Sequence, residues 1–230
     1  MTIFSKKNKN YYSIIGIFSI ICLLFLGSPL VTFLSYKISA IQTPNEVTFF
    51  ISRIFYWLCL ALLWIFALKV EKQKFLIWTE EKYKIWIYFV FIVAIYLILV
   101  FGLQLVKMIT GLISSYKVSP QFVNSLKLLR ENKFLLFFTA LTAGVTEELI
   151  FRGYLQPRFE IIFKSGWFGI LLPSMLFGFL HYGYGTLLNV TAAFFIGLIF
   201  SIFYRKYRNL KVLILFHFLW DLLLLLFYKQ

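Results

Sequence analysis

The sequence predicts an all-α, polytopic membrane helix bundle with about seven to eight transmembrane helices. Three observations predict it. Apolar residues fill 61% of the 230 positions and mean hydropathy is +0.86, whereas a soluble domain is nearer half apolar. Apolar runs near the roughly 20 residues a bilayer requires recur along the whole chain. Charged residues make up only 14%, and they collect mainly between those runs.

The first run, roughly 12–35, follows the basic start "KKNK". It is longer than a signal peptide's apolar core and no small-residue cleavage site follows it, so it is expected to remain as a span. The second run is about 48–69 and the third about 85–106, separated by the lysine-rich loop "EKQKFLIWTEEKYK". The segment 108–133 is mixed, with Ser-Pro in the middle and an amphipathic pattern after it; it reads as an interfacial helix. The fourth span starts near Phe134 and runs past Arg152 toward Phe163, with a kink expected at Pro157. The fifth, about 167–182, contains Pro173 and ends at His181; the sixth is about 186–204. The basic loop "RKYRNLK" precedes the seventh, about 212–228. No internal repeat is visible.

Charge sets the expected topology and partners. Lysines at the N-terminus and in the 70–84 loop place both on the cytoplasmic side, and by parity "RKYRNLK" joins them. The basic 107–133 segment then falls outside, against the rule. Lys and Arg outnumber Asp and Glu by 23 to 9, a net +14. In a soluble protein that would suggest nucleic acid. Here the basic residues flank spans and face anionic headgroups, so the expected partner is the lipid bilayer and not nucleic acid. Cys22 and Cys59 lie in separate apolar runs and read as core fillers. Abundant Lys, Asn, Ile and Phe fit an AT-rich genome, which points to a bacterial cell membrane.

Six of the nine acids, Glu46, Glu71, Glu80, Glu81, Glu131 and Glu160, fall in loops or at span ends. Glu147, Glu148 and Asp221 fall within apolar runs, as do both histidines, His181 and His217. An ionisable group at membrane depth is costly unless it pairs or lines a wet cavity. Five such groups in the late spans suggest one hydrated site. Glu148 and Arg152 are at i and i+4 in the favourable order for an ion pair. Glu147 points about 100° away and has no cation at i+3 or i+4, so it stays free. His217 and Asp221 also share a helix face at i and i+4, and His181 shares one with Phe177. Singly, each pair could be a packing contact. Jointly they are hard to explain that way.

At these residues the sequence resembles a known family. "EELIFR" (Glu147 to Arg152), "FGFLH" (Phe177 to His181) and "HFLWD" (His217 to Asp221) match E-E-x-x-x-R, F-x-x-x-H and H-x-x-x-N/D in the right order. These are the motifs of the CPBP intramembrane proteases, the CAAX-processing and bacteriocin-processing, Abi-type family. Asn189, Gly197 and the stretch leading into His217 agree. The resemblance covers about 135–225 and divides one membrane domain into two parts. Residues 1–133 supply spans without recognised motifs, and 134–230 form the catalytic bundle.

The resemblance implies a roughly eight-helix fold with its catalytic groups in a cavity inside the membrane. Glu147 would activate water with help from His181. A carboxylate in a low-dielectric cavity is a better base near neutral pH. His217 would stabilise the oxyanion, with Glu148, Arg152 and Phe177 in support. Asp221 stands where many relatives have Asn. An ionised Asp cannot donate to an oxyanion, but it can orient His217 or ligate a metal. Glu147, His181 and His217 also have the residue types of a three-ligand zinc site. No H-E-x-x-H is present, and the preferred reading has no cofactor, with zinc as the alternative.

The leading expectation is an integral, multi-pass membrane endopeptidase acting on a membrane-associated peptide or protein. A non-catalytic protein conferring bacteriocin self-immunity through membrane or partner binding is the alternative. A proton-relaying transporter predicts inverted repeats, which the sequence lacks.

Overall fold

The computed structural model describes residues 3–39, 45–114 and 120–227, and among them every regular element is a helix. Helix α1 (Ile3–Cys22) passes through a π-helical turn (Leu23–Gly27) into α2 (Ser28–Ser39). Then come α3 (Glu46–Lys69), α4 (Ile85–Ile113) and α5 (Pro120–Glu131). Helix α6 (Lys133–Thr142) continues through two π-helical stretches, Ala143–Glu147 and Leu149–Leu155, into α7 (Gln156–Phe163). Helix α8 (Gly166–Leu180) ends in a 3-10 turn (His181–Tyr184), followed by α9 (Leu187–Tyr207) and α10 (Leu210–Phe227).

Local chemistry sets the ends. Asn45 and Thr48 form a reciprocal capping box at the start of α3, with both hydrogen bonds at 3.0 Å. Asn132 caps α6 by accepting from Leu135 N–H, and Thr186 caps α9 by accepting from Asn189 N–H. Lys164 (φ 51°) and Arg208 (φ 48°) end α7 and α9 in the left-handed conformation. The Ser-Pro step of the mixed segment supplies Pro120 as the first residue of α5, where its missing N–H costs nothing.

Six helical segments are long and apolar enough to cross a membrane: 10–31, 46–69, 85–113, 133–163, 187–207 and 210–227. The fifth expected span is α8, with 15 residues. It rises only about 22 Å, short of a hydrocarbon core of about 30 Å. It nevertheless packs within the bundle against α7 and α9. The third span outruns its expected end and reaches Ile113. The 133–163 helix is the centre of the fold: 61% of its apolar stretch is buried, against 17% for α3 and for α4. Pro157 falls in the first turn of α7, directly after the π-helical stretch, so the chain continues as one helix.

The charged 70–84 loop has no regular structure, yet it is tied down. Glu80 accepts from Tyr204 Oη (2.8 Å) and from Leu210 N–H (2.6 Å). Asn209 Nδ2 donates to the Glu81 carbonyl at 2.8 Å. The sequence places Glu71 at a span end; in the fold it is 1% exposed and receives a double hydrogen bond from Arg158, the shorter at 2.6 Å. Tyr154 Oη adds a third donor at 2.6 Å, and the Arg158 guanidinium lies 3.6 Å from the Tyr154 ring centre. This loop and the α9–α10 turn therefore share one end of the bundle.

Candidate active site

Glu147 closes the first π-helical stretch, and Glu148 stands between the two. The Thr146 hydroxyl donates back to the Thr142 carbonyl at 2.7 Å, a side-chain bond that bends helices. Such widened turns concentrate at functional sites. The i, i+4 pair survives the irregularity: Arg152 Nη1 donates to Glu148 Oε1 at 2.9 Å, with both residues buried. Arg152 Nη2 donates to the Gly197 carbonyl at 3.2 Å. The rings of Phe177 and Phe200 flank the guanidinium at 4.8 and 5.3 Å.

The fold adds a contact that no sequence spacing displays. His217 Nδ1 lies 2.8 Å from the same Glu148 oxygen that Arg152 holds. An ionised carboxylate only accepts, so Nδ1 carries the proton and Nε2 turns to the cavity. There it sits 3.6 Å from Asp221 Oδ2 and 3.9 Å from Glu147 Oε2. Asp221 thus faces the ring without a hydrogen bond to it, whereas Glu148 holds Nδ1. The contact depends on Gly144, where a Cβ would meet the backbone N and Cα of Phe218 on α10 within 3 Å.

His181 is held by its own helix. Its Nδ1 lies 2.8 Å from the Phe177 carbonyl, which can only accept, so Nδ1 donates and Nε2 is left as an acceptor. Phe177 packs between the two histidines, with ring centres 4.8 Å from His181 and 6.1 Å from His217. Glu147, His181, His217 and Asp221 all line one cavity of about 530 Å³. Glu147 has no hydrogen-bond partner among the described residues, as expected for a free carboxylate. Asn189 lines the same cavity, and Gly197 serves through its carbonyl.

Sequence reasoning missed Arg53 of α3, which lines the cavity from the first half of the chain. The available signal was a lone arginine inside the 48–69 apolar run. Among the described residues no group of three His, Cys, Asp or Glu side chains is arranged as a metal site.

Residues 130–223 match the family model described as Rce1-like, type II CAAX prenyl endopeptidase. The resemblance carried by the three motifs is borne out over that segment. No curated protein and no solved structure gives a match. The matched family is one of proteases, and it supports intramembrane endopeptidase activity in general. Together with six membrane-length helices, it makes this an integral, multi-pass membrane protein.

Proposed function

We propose that Glu147 is the general base of an intramembrane endopeptidase acting on a lipophilic or membrane-associated peptide. The observation that carries this reading is the shared oxygen of Glu148. It is occupied by Arg152 and His217, which leaves Glu147 as the carboxylate of the adjacent pair that has no hydrogen bond and is open to the cavity. A water held between Glu147 and His181 Nε2 attacks the peptide carbonyl and gives its proton to Glu147. The carbonyl oxygen becomes an oxyanion, and His217, carrying a proton on Nε2, donates to it. Collapse breaks the C–N bond as Glu147 returns the proton to the leaving amine. Asp221, 3.6 Å from Nε2, favours the protonated ring by its charge. The chemistry needs no metal. With the basic 70–84 and 205–209 segments at one end, the positive-inside rule makes that end cytoplasmic, in a bacterial cell membrane.

The test is Glu147→Gln, which keeps the shape but cannot take the water's proton. Purified variant should fold and accumulate yet lose activity by roughly 10²–10⁴-fold, the contribution of a positioned base. Membrane peptidomes with and without the substitution should differ by the uncleaved substrate. Wild-type turnover by the variant would rule out the assigned base.

A further inference from the structure

Arg53 takes no part in the chemistry above. One turn further along α3, Trp57 Nε1 donates to Thr142 of α6 at 3.0 Å. Arg53 therefore lies on the α3 face that meets α6, near the level of Thr139. The rings of Phe49 and Tyr56 brace its guanidinium carbon at 5.8 and 5.9 Å. Its Nε is buried without a hydrogen-bond partner, as is the Thr139 hydroxyl on the same cavity wall. Among the described residues no carboxylate forms an ion pair with it, although its charge is felt at Glu147 and Asp221. A guanidinium with a buried N–H that has no acceptor is costly, and in a membrane protein such a charge on a cavity wall marks a ligand path by default. Its planar fork fits a carboxylate.

We infer that Arg53 binds a carboxylate of the substrate and thereby sets where the peptide is cut. The inference rests on the endopeptidase reading. Thr139 and Glu147 are eight residues apart along one helix, about 12 Å of rise. An extended peptide covers about 3.4 Å per residue, so the anchored carboxylate falls about two to four residues from the scissile bond. A cavity of about 530 Å³ suits a segment of that length. The carboxylate is either the peptide's own C-terminus or an Asp or Glu side chain.

The probe is a Leu- and Phe-rich octapeptide in three forms: free acid, C-terminal amide, and amide with a Glu three residues from the end. Wild type, Arg53→Gln and Arg53→Lys are compared for KM and kcat. Binding of each peptide to the Glu147→Gln protein, with and without Arg53→Gln, is followed by thermal shift. Wild type should show a KM at least tenfold lower for the free acid than for the amide. Arg53→Gln should erase that difference, and Arg53→Lys should restore part of it as a point charge without the fork. If the Glu-bearing amide matches the free acid, the site takes either carboxylate; if it behaves as the plain amide, the site reads the terminus; if it alone binds more tightly, the site reads a side chain. Equal KM for all three peptides on wild type overturns the proposal. So does an equal loss of kcat on all three with Arg53→Gln, which would make Arg53 a counter-ion of Glu147 and Asp221. If wild type cleaves nothing, the endopeptidase reading falls and binding decides. Carboxylate-selective binding that needs Arg53 sustains the anion site, and unselective or absent binding overturns it.

Discussion

Glu148 joins two partners that lie 65 residues apart, Arg152 and His217, through one oxygen. Removing one member of a buried ionic set typically costs about 3–5 kcal/mol, because the other is left unmatched. Arg152→Ala should therefore lower the melting temperature in detergent as well as abolish activity. Glu148→Gln with Arg152→Met should restore thermal stability above the single variant without restoring turnover, because His217 loses the anion that orients it. A double variant that melts below Arg152→Ala would show that the pairing is wrong. Asp221 lies beside His217 at 3.6 Å, outside hydrogen-bond reach. Asp221→Asn is isosteric and adds an N–H donor, so it should keep substantial peptide turnover, while Asp221→Ala should be much weaker. Asn as inactive as Ala, with both folded, would mean that the negative charge itself is required. Dialysis against a strong chelator should leave most activity, because the proposed mechanism has Glu147 take the water's proton without an ion. Loss on chelation with recovery on adding zinc would reverse that assignment.

At the scale of the element, the π-helical passage and α10 form one device. The widened turns put two adjacent carboxylates into different environments: Glu148 is sealed in and Glu147 keeps 17% of its side chain exposed. Helix α10 can bring His217 to Glu148 only because residue 144 has no side chain. Gly144→Ala places a methyl group against the Phe218 backbone, which cannot yield as a flexible side chain would. Overpacking of this kind costs about 1–3 kcal/mol. The variant should show a lower melting temperature and a fall in kcat larger than any change in KM, because His217 is displaced. Unchanged kcat in a folded variant would separate the glycine from the site. Gly178 plays the matching part between α8 and α9, where a Cβ would come within 2.9 Å of the Phe194 Cβ and the Val190 carbonyl. It lets the short α8 sit deep enough to carry His181 to the cavity.

At the scale of the whole molecule, the bundle has two polar centres. One is the candidate active site. The other, Glu71 with Arg158 and Tyr154, fastens the 70–84 loop and α3 to α7 at the opposite end from the helix start at Asn45. Arg158 donates to the carbonyls of Phe75 and Tyr154 as well as to Glu71. Glu71→Gln breaks a buried pair and should lower the melting temperature by an amount comparable to Arg152→Ala. Because this centre lies away from the cavity, the folded fraction should retain its activity per molecule. A loss of activity at full stability would couple the loop to catalysis.

Much of this was legible in sequence. Hydropathy and span length determined the class of fold, because a bilayer admits helices of a limited length whatever their neighbours. The cost of charge at membrane depth singled out Glu147, Glu148, His181, His217 and Asp221, and i, i+4 spacing paired Glu148 with Arg152. Tertiary structure alone decided the rest. Whether α8 spans, which carboxylate orients His217, and how Glu71 comes to be buried depend on helices far apart in the chain. Arg53 reaches the cavity only through the packing of α3 on α6. A local pattern reports the face of a helix and its solvent, whereas distances between side chains on different helices follow from close packing, and here from residues as small as Gly144.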